Sequence, residues 1–173
     1  MKLSARGVRW YALFVRLLCV ACVVLLAAQA VRAQSAYRHV TPPGWQHSAA
    51  DGIEAFTPTQ EPPDTVQMML LPPKPLQGDF AAQFNAERQS LEAQWGLSAP
   101  QAAAPQAGRV GTTSYAAHYA SYDSSGGARY MAFMAAGQNG QFAMLVFVAA
   151  SPDAFNRLAP QAAALLQSLQ IGR

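Results

Sequence analysis

One uninterrupted apolar stretch constrains the fold of this chain more than any other feature. Every residue of 142–149 is apolar, whereas a strand with one face in water alternates apolar and polar residues. The pair Asn139-Gly140, just before the stretch, is typical of a two-residue type I′ hairpin. Residues 141–150 are therefore predicted to form an interior strand of a sheet that other elements cover on both faces.

The Asn139-Gly140 turn also predicts how two strands pair. The preceding strand is expected over residues 128–138, so Gln138 should lie opposite Gln141. The pairs predicted further along this hairpin are Met134 with Leu145, Phe133 with Val146, and Met131 with Val148.

The other strands are predicted from alternating polarity and from turn residues. Residues 52–58 alternate as a half-buried strand does, and residues 66–71 form a further strand that ends at a proline-rich segment. Together with the segment that opens at residues 41–45, they form a small antiparallel unit. In the second half a strand is expected over 111–122, and the low-complexity residues 98–108 are expected to be a surface connection.

Two amphipathic helices supply the covers that the sheet needs. Asp79 is suited to cap the start of the first helix, and Gly96 is suited to end it. Its apolar stripe, predicted to be core and not a ligand-binding box, consists of Phe80, Phe84, Leu91 and Trp95.

The second helix is predicted near the C-terminus. Ser151-Pro152-Asp153 supplies an N-cap, a proline at the first helical position and an early acid. The buried stripe is expected to run from Phe155 to Leu169, and Pro160 is expected to kink the helix or split it in two. The element order predicts an α+β protein, a single-domain α/β/α sandwich whose antiparallel sheet of about six strands has helices on both faces.

The N-terminal segment is typical of a secretory leader. Positive charges precede an apolar run, and small residues before Ala33 and Ala30 suit cleavage by a signal peptidase. We expect a leader over 1–33, cleavage after Ala33 (alternatively Ala30), and one exported domain over 34–173, periplasmic or secreted. If the leader stays uncleaved, this segment is the chain's only contact with a membrane, although Arg16 interrupts its apolar run.

The leader also carries most of the features that would otherwise suggest other classes of protein. Five of the 12 lysines and arginines lie in it, so the remaining chain has 7 basic and 9 acidic residues, and nucleic-acid binding is disfavoured. Both cysteines, Cys19 and Cys22, lie there too, so the mature domain has no thiol, disulfide or cysteine-based metal site.

Signals of catalysis or of a cofactor are absent from the sequence. It has no nucleophile elbow, phosphate-binding loop or dinucleotide fingerprint, and His39, His47 and His118 share no spacing typical of a metal site. No catalytic residue, metal or cofactor is therefore expected. The acidic pairs, expected to be solvated, are Asp51 with Glu54, Glu61 with Asp64, and Glu87 with Glu92.

The candidates for a binding site lie around one hairpin. They are His118, Tyr122, Arg129 and Tyr130, because tyrosine and arginine are typical binding anchors. Alternation places His118 and Tyr122 on the opposite face from Tyr115 and Tyr119. The alternative is that these residues are ordinary members of amphipathic strands.

The element order, with Pro43-Gly44-Trp45, Phe56-Thr57-Pro58 and the approach to the helix at residues 76–80, resembles the PsbP-like sandwich superfamily. That superfamily includes photosystem II extrinsic subunits, Ran-binding Mog proteins and bacterial relatives. The resemblance implies a non-enzymatic protein that docks on a partner. One branch, the Eag-type chaperones of type VI secretion, acts in the cytosol, and the leader departs from that pattern.

Three functions follow as hypotheses. The first is an exported accessory protein that docks on a protein or a cell-envelope component. The second is a small-ligand carrier with a cleft near residues 115–130, and the third is a hydrolase, which would require His118 within hydrogen-bond reach of a serine and an acid.

Overall fold

The computed structural model describes residues 37–62, 65–98, 104–122 and 128–171, which belong to one compact unit, Ser35–Arg173. The strands are β1 (Tyr37–Arg38), β2 (Trp45–Ala50), β3 (Ile53–Pro58), β4 (Val66–Leu70), β5 (Lys74–Pro75), β6 (Gln106–Val110), β7 (Thr113–Tyr122), β8 (Arg129–Gln138), β9 (Gln141–Ala149) and β10 (Gln170–Ile171). The helices are α1 (Phe80–Gln94) and α2 (Pro152–Ser168). The predicted α+β class is confirmed.

The main sheet is antiparallel, and its strand order is β2-β3-β4-β9-β8-β7-β6. The short β5 also pairs with β9. It lies beside residues 141–142 of that strand, whereas β4 lies beside residues 145–149. β1 and β10 form a separate two-stranded sheet, with Tyr37 opposite Ile171. The described part of the chain thus has more strands than the six expected, because short strands at the chain ends and at a proline-rich segment also pair.

The predicted register of the central hairpin is confirmed at every pair. Gln138 lies opposite Gln141, and Phe133 lies opposite Val146. Asn139 and Gly140 both have positive φ, 53° and 70°, as a type I′ turn requires. The apolar strand β9 lies between β4 and β8 and is buried over most of its length, as its sequence predicted.

One face of the sheet packs against α2. The helix contributes five buried residues, and the sheet contributes apolar side chains from β3, β4, β8 and β9. The members with the least exposure include Phe56, Met68, Leu145 and Phe147. Ser151 caps the helix as predicted, because its hydroxyl accepts a hydrogen bond from the backbone N–H of Ala154 at 3.2 Å.

The opposite face packs against α1. Asp79 caps this helix by accepting a hydrogen bond from the backbone N–H of Ala82 at 2.8 Å, and Gly96 has φ +62° just after its end. Phe84 is buried against Phe133 and its neighbours, but Trp95, predicted to be core, is 38% exposed. The indole of Trp95 lies just past the helix end and stacks on the buried Phe133 of β8, with centroids 6.3 Å apart.

Two predictions about irregular segments were wrong in part. Residues 98–108 were expected to be a surface connection, yet β6 begins at Gln106 and pairs with β7, while residues 99–103 lie outside the described part of the chain. The second helix was expected to kink or split at Pro160, and the split is wrong, because α2 is one element across this residue. Pro160 is exposed, while Leu158 and Ala162 on either side are buried in the same core, so packing holds both halves of the helix against the sheet.

Neither described helix combines the length and the apolar character needed to cross a bilayer. The predicted leader, its cleavage sites after Ala30 and Ala33 and both cysteines lie outside the described residues.

Candidate binding groove and two buried polar clusters

The four residues predicted to form a binding site do not converge. His118 and Tyr122 are buried on the α1 face, and Arg129 lies directly opposite Tyr122 in the β7–β8 pairing. Tyr130 is on the other face, where its ring lies 6.5 Å from Phe155 of α2. The sheet therefore separates Tyr130 from the other three.

Instead of a cleft, His118 and Tyr122 contribute to a buried polar cluster centred on Glu92 of α1. The Tyr122 hydroxyl donates a hydrogen bond to Glu92 Oε1 at 2.5 Å, and Arg88 Nη1 lies 2.5 Å from the same oxygen. His118 Nε2 is 4.0 Å from it. Glu92 was predicted to be a solvated charge, but these three partners lie between α1 and the sheet and shield much of its carboxylate from solvent.

The cluster keeps the Tyr122 phenol protonated. Burial raises the pKa of Tyr122, and the hydrogen bond to Glu92 and the negative charge of Glu92 raise it further, while Arg88 acts in the opposite direction. Because His118 is only 2% exposed, the cluster offers no surface on which a substrate meets its imidazole. The arrangement is that of a polar network that fixes α1 on the sheet.

A groove lies on the other face, where α2 leaves part of the sheet uncovered. Its volume is about 320 Å³, and its floor contains Gly108 and Ala117. Tyr119 lines it, is 40% exposed and contacts the edge of Phe155 with centroids 6.2 Å apart. The remaining lining residues come from β6, β7, β8 and α2: Gln106, Ala107, Tyr115, Ala116, Met134, Ala163, Leu166 and Gln167.

The sequence did not predict this groove, because the candidate binding residues lay on the hairpin after Tyr115 and residues 98–108 have the composition of a connection. The pairing of Gly108 with Tyr115 and of Gln106 with Ala117 builds the groove at the edge of the sheet. The one signal available in the sequence was the pair of tyrosines, Tyr115 and Tyr119, that alternation places on one face of β7.

A second polar cluster, which is only partly buried, joins His39, His47 and Glu54. His39 Nε2 lies 2.5 Å from Glu54 Oε2, and His47 Nε2 lies 3.2 Å from the same oxygen. Glu54 was predicted to be solvated together with Asp51, yet its side chain is only 3% exposed. Strand alternation turns Glu54 toward the α2 face with Phe56, while Asp51 lies in the β2–β3 turn.

Tyr37 lies next to this cluster, at the start of β1. Its hydroxyl donates a hydrogen bond to the carbonyl oxygen of Leu71, which ties β1 to the end of β4. Burial raises the pKa of Tyr37, and the negative charge of Glu54 adds to that effect.

Comparisons with known proteins identify the fold. No protein-family model matches the chain, and no curated protein matches it in sequence. The solution structure of CyanoP, the cyanobacterial PsbP of Synechocystis sp. PCC 6803, matches with a TM-score of 0.58 at 10% identity, over 80% of this chain and 88% of that one. The Ran-binding protein Mog1p of Saccharomyces cerevisiae matches with a TM-score of 0.54 at 10% identity, over 79% and 90%.

The chain has the PsbP/Mog1-like fold. The resemblance inferred from sequence is thereby confirmed for the fold. LpqN of Mycobacterium tuberculosis, described as involved in cell envelope biogenesis, also has this PsbP/Mog1-like architecture and matches with a TM-score of 0.56 at 18% identity, over 79% of this chain and 83% of that one. The fold thus occurs in proteins that are described by different roles, and the function of this chain has to be argued from its own surface.

Proposed function

We propose that this chain is an exported, non-enzymatic accessory protein that docks on a protein partner through the groove beside β6. The observation that carries the proposal is the groove itself. A strip of sheet next to an exposed edge strand is left uncovered by α2, and Tyr119 stands partly exposed within it. The neighbours of the same fold support a binding role, since one is described as Ran-binding.

The edge strand suggests how the partner binds. β6 pairs with β7 on one side. Within the residues that the structure describes, no strand pairs with its other side, and all five residues of β6 are exposed. An extended segment of another protein can add to such an edge through backbone hydrogen bonds. Alternate side chains of that segment would then enter the groove.

The lining of the groove favours a partner segment with small or apolar side chains. Gly108 and Ala117 leave space above the sheet, Tyr115 and Tyr119 offer aromatic surface, and Leu166 of α2 forms an apolar wall. Tyrosine is enriched among residues that dominate binding energy, because it combines apolar area with a hydroxyl.

Export is the second part of the proposal. It rests on the charged and apolar leader over residues 1–33, with cleavage after Ala33 or Ala30. The described neighbour involved in cell envelope biogenesis is consistent with a role outside the cytoplasm. Cells expressing the full chain are expected to yield a mature protein that begins at Gln34 or Val31, and a retained Met1 would contradict cleavage and favour an anchored protein.

Site-specific photo-crosslinking in intact cells of the source species tests the docking groove. A benzophenone amino acid replaces Tyr119 in the full chain, which carries a C-terminal affinity tag. The matched control places the same group at Gln94, which is exposed at the end of α1 on the other face. A third variant combines the crosslinker with Gly108→Leu, because nothing lies within 4 Å of a Cβ at Gly108 and a larger side chain there would occupy the groove.

The expected result is a covalent adduct with one protein when the crosslinker is at position 119. The adduct should be absent when the crosslinker is at position 94, and it should be lost with Gly108→Leu. Circular dichroism of the purified variants should show an unchanged fold. No adduct, or an adduct that survives Gly108→Leu, would overturn the docking groove. A small-molecule or lipid adduct in place of a protein would favour the carrier hypothesis or an envelope component.

A further inference from the structure

The cluster of His39, His47 and Glu54 brings together residues from three separate segments. His39 follows β1, His47 belongs to β2 and Glu54 belongs to β3. In the β2–β3 pairing Glu54 lies opposite Ala49 and Phe56 lies opposite His47, so the side chains of His47 and Glu54 are diagonal neighbours on one face. The segment after β1 then places His39 against both.

The three donor atoms are close enough to share one ion. One ring nitrogen of His39, one ring nitrogen of His47 and a carboxylate oxygen of Glu54 all lie within 4.8 Å of one another. Neighbouring donors around a tetrahedral zinc ion are about 3.3 Å apart, as follows from metal–donor distances of about 2.0–2.2 Å. The observed separations of 2.5 and 3.2 Å to Glu54 differ from that value by less than 1 Å, a change that side-chain rotation supplies.

We propose that His39, His47 and Glu54 bind a divalent transition-metal ion of the zinc type. Two histidines and one glutamate form a recognised protein ligand set for zinc. The exposed fractions of the three side chains indicate from which side solvent would reach the ion. His39 is 9% and Glu54 3% exposed, whereas His47 is 35% exposed, so the fourth position opens to solvent beside His47.

The ion would link the segment after β1 to the edge of the main sheet. β1 pairs with β10 and not with the main sheet. A metal bound by His39 on one side and by His47 and Glu54 on the other joins this segment to the β2–β3 hairpin. Because the ligands come together only in the folded chain, binding stabilises the fold.

The proposal is tested with the full chain carrying a C-terminal tag free of histidine. ZnCl2 is titrated by isothermal calorimetry, thermal unfolding is followed with and without the ion, and the visible spectrum of Co²⁺ reports the ligand geometry. The test variant is His47→Gln, whose partly exposed site should tolerate the change, together with Glu54→Gln. The control is Glu61→Gln, which removes a carboxylate from an exposed pair with Arg157.

We expect one Zn²⁺ per chain and, at a hundredfold excess over the dissociation constant, a melting temperature about 5–10 °C higher. His47→Gln and Glu54→Gln should weaken binding about 100-fold or more, and Glu61→Gln should leave it unchanged. If the chain does not bind Zn²⁺, or if His47→Gln binds it as tightly as the unmodified chain, the metal site is overturned. The groove lies at the opposite edge of the sheet, so either result leaves the docking proposal intact.

Discussion

Two buried tyrosine hydroxyls link single residues to the stability of the domain. Tyr37 donates to the carbonyl of Leu71 and Tyr122 donates to Glu92, and burial raises the pKa of both phenols above the ordinary value. In the unfolded chain both phenols lose a proton near pH 10. The folded chain must hold those protons to higher pH, so their contribution to stability is complete below pH 10 and is lost above it.

The first prediction concerns this alkaline loss. Above pH 10 the free energy of unfolding should fall by up to about 1.4 kcal/mol per pH unit for each of the two phenols. Tyr122→Phe should remove about half of that slope. Urea unfolding at several values between pH 8 and 11.5 measures it, with Tyr119→Phe as the exposed control, and equal slopes for the Tyr122 variant and the unmodified chain would contradict the assignment.

The second prediction contrasts two glycines in the sheet. A Cβ at Gly137 would lie 2.7 Å from a ring carbon of Phe80, whereas nothing lies within 4 Å of a Cβ at Gly108. Gly137→Ala should therefore lower the free energy of unfolding by about 1–3 kcal/mol, since the Phe80 ring has to move. Gly108→Ala should leave it unchanged or raise it by up to about 1 kcal/mol. Chemical unfolding measures the stability of both variants. Similar free energies of unfolding would show that the Phe80 ring moves aside at little cost.

Residue-level burial was the hardest property to read from the sequence. Glu54 looks like a turn acid next to Asp51, but the β2–β3 register turns it inward between two histidines. His39 and His47 share no local spacing, because their contact depends on how β1 is held by Tyr37 and β10. The cluster therefore follows from tertiary pairing alone, and no pattern of neighbouring residues predicts it.

At the level of elements, the segments with strong local signals were predicted well. The β8–β9 hairpin follows from Asn139-Gly140, whose backbone conformation selects one register, and α1 follows from the Asp79 cap and Gly96. By contrast, β6 consists of residues with modest strand preference and exists because the long strand β7 pairs with it. Its sequence alone resembles a linker.

The third prediction tests the continuous helix α2. Pro160 lacks the backbone N–H of an interior helical position, so Pro160→Ala restores a hydrogen bond. The alanine also gives the unfolded chain more conformational freedom, which offsets part of this gain. The net free energy of unfolding should rise by about 1–2 kcal/mol. Pro152→Ala, at the first helical position, should change it by less than about 0.5 kcal/mol. Thermal unfolding of both variants checks the contrast, and a loss of stability in Pro160→Ala would mean that the helix depends on the proline.

At the scale of the whole molecule, the fourth prediction uses the position of the cysteines. Cys19 and Cys22 both precede the expected cleavage sites, so the mature chain should contain no thiol. The protein purified from the envelope fraction, denatured and treated with a maleimide, should gain no mass, and a reductant should not shift its melting temperature. The full chain retained in the cytoplasm provides the positive control, and labelling of the envelope form would contradict cleavage after Ala30 or Ala33.

The strand order has a consequence for the sequence of events during synthesis. The N-terminal meander β2-β3-β4 joins the rest of the sheet through β9, where Val66 lies opposite Ala149. The partner of β1 is β10, which is made more than 130 residues later. A nascent chain therefore holds an unfinished edge until its last third emerges, since long-range pairing follows local pairing. The main sheet of such a chain is complete only once the β8–β9 hairpin has formed, and β1 finds its partner only after α2 and β10 have been made.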